Sequence, residues 1–93
     1  MIEFYKQVAR YRAVIQHDRT HDLIEYWAEV YEGPTEGRYS IRYSHTLRPT
    51  EEAGDYFSDT YAWADSQATA ELYVREWAEK LRTSYSYKPW PQD

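Results

Sequence analysis

Leu23-Ile24-Glu25-Tyr26-Trp27-Ala28-Glu29-Val30-Tyr31, then the turn Gly33-Pro34-Thr35-Glu36-Gly37, then Arg38-Tyr39-Ser40-Ile41-Arg42-Tyr43-Ser44-His45-Thr46-Leu47: this stretch decides the fold. In its first run Ile24, Tyr26, Ala28 and Val30 share one side, and Glu25, Trp27, Glu29 and Tyr31 the other. In its second run Tyr39, Ile41, Tyr43, His45 and Leu47 oppose Arg38, Ser40, Arg42, Ser44 and Thr46. Period two with β-branched and aromatic residues is the mark of half-buried strands. Gly and Pro between the runs mark a turn, and a turn this short joins antiparallel neighbours. Centring it on Pro34–Thr35 places Ile24, Tyr26, Ala28 and Val30 opposite His45, Tyr43, Ile41 and Tyr39. The same centring places Trp27 opposite Arg42, and Tyr31 opposite Arg38.

Upstream, Arg10–His17 alternates in the same way, with Tyr11, Ala13, Ile15 and His17 against Arg10, Arg12, Val14 and Gln16. A hairpin centred on Arg19–Thr20 pairs Ile15, Ala13 and Tyr11 with Ile24, Tyr26 and Ala28. Both hairpins then turn their apolar sets to one side, an agreement that a one-residue slip destroys. Phe4–Ala9 is read as an extension of the first strand. Tyr56–Ala64, beyond the Arg48–Asp55 loop, is a fourth and less regular strand candidate. Downstream, Gln67–Arg82 holds no Gly or Pro, and Asp65 or Ser66 is placed to cap it. Ala70, Val74, Trp77, Ala78 and Leu81 form an apolar stripe at helical spacing, and Glu71–Arg75 and Glu76–Lys80 are favourable pairs. The expected fold is α+β: an antiparallel four-stranded β-meander with one C-terminal helix packed on its apolar face. Residues 1–83 are expected to make that single domain, with 84–93 an aromatic and proline-containing tail.

The chain has 93 residues, enough for one core. Eleven Tyr and four Trp stand against two Phe, so its large side chains are mostly amphipathic. No cysteine is present, which excludes a disulfide scaffold and a cysteine zinc site and suits a reducing cytoplasm. No run of the length needed to cross a bilayer occurs, and no membrane association is expected. Residues 1–48 carry seven Lys or Arg and seven Asp or Glu; residues 49–93 carry four and nine, which makes the net charge of −5. That balance speaks against bulk attraction to nucleic-acid phosphate.

The outer face of the predicted sheet carries the main candidates. Arg12, Trp27, Tyr31, Arg38 and Arg42 meet there, with Trp27 expected between the guanidiniums of Arg12 and Arg42. Such a face is either a self-paired solvent surface or a binding surface, since Trp, Tyr and Arg dominate binding hot spots. Tyr85, Tyr87 and Trp90 of the tail are further binding candidates. His17-Asp18-Arg19-Thr20-His21-Asp22 has the residue types of a metal site, yet it lies in a hairpin turn where Asp usually holds its own backbone. His45 projects inward and reads as a hydrogen-bonded residue at the core edge. Glu51, Glu52, Asp55 and Asp59 read as a wet acidic rim. No catalytic residue set, metal site or cofactor is predicted.

In size, acidity and want of a catalytic motif the chain resembles the small inhibitor proteins encoded by phages and mobile elements, anti-CRISPR and anti-restriction proteins among them. That resemblance implies a non-enzymatic, cytoplasmic protein-binding module that inhibits a larger host protein. The alternatives are a single-stranded nucleic-acid binder that stacks bases on the aromatic and Arg face, and a homodimer paired through that face or an open strand edge.

Overall fold

A computed structural model describes residues 2–53 and 63–90. Strands β1 (Lys6–Gln16), β2 (Leu23–Glu32) and β3 (Tyr39–Tyr43) form an antiparallel meander, and β5 (Trp63–Ala64) adds to β3, giving the order β1-β2-β3-β5. Helix α1 (Gln67–Thr83) packs on one face of this four-stranded sheet. The remaining strands, β4 (His45–Arg48) and β6 (Ser86–Pro89), pair with each other in a second, two-stranded sheet. The fold is the α+β arrangement expected, and the fourth strand candidate is seen as β5. The rest of that candidate, 56–62, lies outside the described residues. No helix among the described residues is long and apolar enough to cross a membrane.

The first hairpin has the expected register: Ile15 faces Ile24, Ala13 faces Tyr26, and Tyr11 faces Ala28. His17 N–H donates to Asp22 O (2.8 Å) and closes the turn, which holds His21 in a left-handed conformation (φ 62°). Towards the start of β1 a bulge between Gln7 and Ala9 shifts the pairing by one residue.

The second hairpin differs. Ala28 faces Tyr43 and Val30 faces Ile41, so β3 is displaced by two residues from the expected register. The turn is centred further along the chain than Pro34–Thr35. Gly33 N–H donates to Arg38 O (3.0 Å), Gly37 takes a positive φ of 78°, and its N–H donates to the Glu32 carboxylate (3.0 Å). A shift of two keeps every side chain on its face and changes every partner.

The run Arg38–Leu47 is not one strand. It breaks at Ser44, where the hydroxyl takes over part of the ladder. Ser44 N–H donates to Trp27 O and Trp27 N–H donates to Ser44 Oγ, both at 3.0 Å. Beyond this point the chain leaves β2 and pairs with β6, Leu47 opposite Tyr87 and His45 opposite Pro89.

The core lies between the meander and α1. Ile15, Ile24, Tyr26, Ala28, Val30, Ile41, Tyr43, Leu47 and Ala64 meet Ala70, Val74, Trp77 and Leu81 of the helix. Ser66 caps α1, its Oγ accepting the Thr69 N–H (3.1 Å). Two of the amphipathic core side chains place their polar end on a backbone oxygen. Tyr26 Oη donates to Val74 O (2.7 Å), and Trp77 Nε1 donates to His45 O (2.9 Å).

Candidate binding face

The face of the sheet turned away from α1 is ordered in rows by the register. Gln7, Tyr31, Ser40 and Trp63 form one row, and Arg10, Glu29 and Arg42 the next. Arg12 and Trp27 follow, then Val14 and Glu25. Three arginines, Arg10, Arg12 and Arg42, stand against two carboxylates, Glu25 and Glu29. This face is therefore basic in a chain whose net charge is −5.

The expected sandwich of Trp27 between Arg12 and Arg42 is corrected on one side. Arg12 is opposite Trp27, but the two-residue shift sets Arg42 opposite Glu29 and Ser40, not Arg38, opposite Tyr31. The guanidinium over the indole belongs to Arg10, 5.9 Å from the ring centroid. Arg38 instead lies over Trp63, at 5.6 Å. Trp63 is half exposed and Trp27 and Tyr31 are partly exposed. Tyr31 Oη donates to Glu29 Oε1 (3.1 Å), and Arg10 stands 3.8 Å from the same carboxylate. Burial, then the bond to Glu29, raises the Tyr31 phenol above its ordinary 10.0, with Arg42 opposing, so Tyr31 stays a neutral donor.

Trp63 and Arg10 were missed as site residues on sequence grounds. Trp63 sits in the irregular fourth candidate, where alternation is too short to assign a face. Arg10 reaches Trp27 diagonally, from the neighbouring row.

The tail aromatics are set into the fold. Tyr87 packs its ring against His17 (5.2 Å) and His45 (6.1 Å), and its hydroxyl donates to Asp22 Oδ2 (3.2 Å). Trp90 packs against Tyr43 (6.4 Å). Two guanidiniums lie over the Tyr85 ring, Arg19 at 4.8 Å and Arg48 at 5.3 Å, and Arg19 also donates to Tyr85 O. Arg48 donates on to Ala53 O and Glu51 O (2.9 Å each), tying the start of the acidic loop to the same ring. Glu51 and Glu52 are exposed there; Asp55 and Asp59 lie outside the described residues.

The histidine and aspartate turn does not converge on a metal. His17 is fully buried: Nε2 donates to Ser84 O (2.7 Å), while Nδ1 accepts from the N–H of Thr20 (3.2 Å) and of Arg19 (3.3 Å). It locks the first turn to the end of α1. Asp18 pairs with Arg82 (2.6 Å), and Asp22 takes the Tyr87 hydroxyl. No group of three or more metal-ligating side chains gathers among the described residues. His45 sits at the core edge as expected, Nδ1 against Ser44 Oγ (2.7 Å), and burial lowers its pKa below 6.5.

Comparison with protein-family models, with curated proteins and with solved structures finds no match to this chain.

Proposed function

We propose that the chain is a non-enzymatic protein-binding module that engages its partner through the outer face of the sheet. An inhibitor seated on a larger host protein is the narrower form of this reading. The supporting observation is the concentration of Trp27, Tyr31 and Trp63 with Arg10, Arg38 and Arg42 on the face opposite the helix. Aromatic rings paired with guanidiniums combine large contact area with low entropy cost, the chemistry of interface anchors. The buried histidine and the turn aspartates hold structure, which fits a domain without a reaction to perform.

A second reading has its own support. The outer face carries more arginine than carboxylate, and half-exposed Trp63 offers a ring on which a base can stack. One experiment weighs both: capture of partners from source-cell lysate on the tagged chain, with and without nuclease, for the wild type and for Trp27→Ala and Trp63→Ala. A stoichiometric protein that survives nuclease and is weakened at least about thirtyfold by either substitution is expected, the scale of a hot-spot residue. Both variants should keep a wild-type circular dichroism spectrum. Loss of the captured partner on nuclease treatment moves the reading to nucleic acid, and unchanged affinity in both variants removes the face as the binding site.

A further inference from the structure

We propose that the free edge of β1 receives an extended peptide of alternating apolar and acidic residues, which adds to the sheet as a further strand. This goes beyond the outer-face reading, because it rests on the edge and on a groove at the helix side. Strand β1 is eleven residues long, stands last in the sheet order, and pairs on its far side with no described residue. Its backbone N–H and C=O groups on that side are a template for another chain.

Two features say what that chain looks like. On the helix side, α1 packs on β1 through the core but leaves part of the strand uncovered. Between α1 and β1 lies an open groove of about 480 Å³, with Tyr11, Ala13, Tyr26, Val74 and Ala78 along it and the charged side chains of Arg12, Arg75 and Glu79 also lining it. Arg75 is already paired with Glu71 (3.1 Å) and Glu79 with Arg82 (2.8 Å), so the helix wall is largely apolar and its charges are balanced. On the outer side the same stretch presents Arg10 and Arg12, and Arg12 makes no ion pair with any described residue. A smaller hollow of about 410 Å³ beside Arg12, Val14 and Trp27 lies on that side. Side chains of an added strand alternate between the two faces. Those on the helix side enter the apolar groove, and those on the outer side meet the guanidiniums.

The charge on β1 also selects against a second copy of this chain. Lys6, Arg10 and Arg12 are its only charged residues, so two β1 edges brought together oppose like charges. An acidic strand has no such penalty.

The test uses the full chain, labelled with nitrogen-15, and a short end-capped peptide of alternating Val and Glu. Alternate amides of 10–14 should gain hydrogen-exchange protection on peptide addition. Methylating the peptide nitrogens that face β1 should abolish binding, and Arg10→Glu with Arg12→Glu should weaken it by at least about tenfold. The proposal is overturned if the N-methylated peptide binds equally well, which makes the attraction charge alone. It is also overturned if the peptide perturbs the Trp27 and Trp63 indoles without protecting β1, or if it does not bind at low salt. Protection of β1 in a free chain with the mass of two copies overturns it in favour of self-pairing. Protection of the β1 amides is read independently of partner capture by Trp63→Ala, so the failure of this proposal and the failure of the outer-face reading are separable.

Discussion

Thr46 Oγ1 is buried and finds no hydrogen-bond partner among the described residues. Its hydroxyl has lost water without gaining a partner, and a stranded polar atom costs about 1–3 kcal/mol. Thr46→Val keeps the shape and removes that cost, so it should raise stability by about 1 kcal/mol in urea unfolding. His45 carries the opposite kind of information. Its Nδ1 faces a serine hydroxyl that already accepts the Trp27 N–H and so has its own proton free to donate to the ring. Burial disfavours the charged imidazolium, which is why the pKa falls below 6.5. As pH drops through 6.5 the unfolded chain takes up a proton that the folded chain refuses. Stability contributed by neutral His45 is thus complete above that value and declines as pH falls towards the lowered folded value. Urea midpoints measured from neutral to mildly acidic pH should fall more steeply for the wild type than for His45→Asn, whose amide oxygen can take the same serine proton. Equal slopes would rule out His45 as the source.

The two hairpins show what a pattern of alternation can and cannot decide. Faces are legible, because a shift of one residue exposes Ile24, Tyr26, Ala28 and Val30 together. Partners are not, because a shift of two costs nothing in the pattern and only turn geometry chooses. The first turn happens to centre where the polar residues centre; the second is moved along by Gly37. That glycine is left-handed with nothing near its missing Cβ, so a side chain there meets backbone strain and no clash. Gly37→Ala should therefore cost about 1 kcal/mol, and Gly37→Asn should recover most of it. A loss much larger than this in Gly37→Asn as well would mean that the turn chooses the register by something other than φ. The break at Ser44 was illegible for a different reason. Apolar alternation runs on unbroken to Leu47, and the side-chain oxygen that replaces a backbone partner leaves no trace in polarity. The helix was the easiest element, since capping, stripe and breaker-free length all agree for Gln67–Thr83.

Over the whole molecule, the aromatic surplus is divided between two duties. Tyr26, Tyr43 and Trp77 fill the core, while Trp27, Tyr31 and Trp63 are left on the face opposite the helix. Composition alone cannot divide them; the odd and even positions of β2 do so for Tyr26 and Trp27, which are adjacent in the chain and point to opposite sides. Closure of the core depends on β6, which brings Tyr87 to His17 and His45, and on Trp90, which packs on Tyr43. A chain cut after Ser84 should keep much of its far-ultraviolet circular dichroism, lose its near-ultraviolet aromatic signal, and melt without a sharp transition. An unchanged melting midpoint would show that β4 holds its place without β6.

The pairing of β4 with β6 also has a bearing on how the chain is made. The ribosome delivers β1, β2 and β3 first, and these can form their hairpins at once. Leu47 and His17 must then wait, incompletely covered, until residues 84–90 are made, because Tyr87 lies opposite Leu47 and against the His17 ring, and Ser84 O takes the His17 Nε2–H. The hydrophobic interior stays unfinished until that short segment has left the exit tunnel. This domain therefore completes its fold only once β6 is free of the ribosome, and it is most exposed to proteases just before that strand emerges.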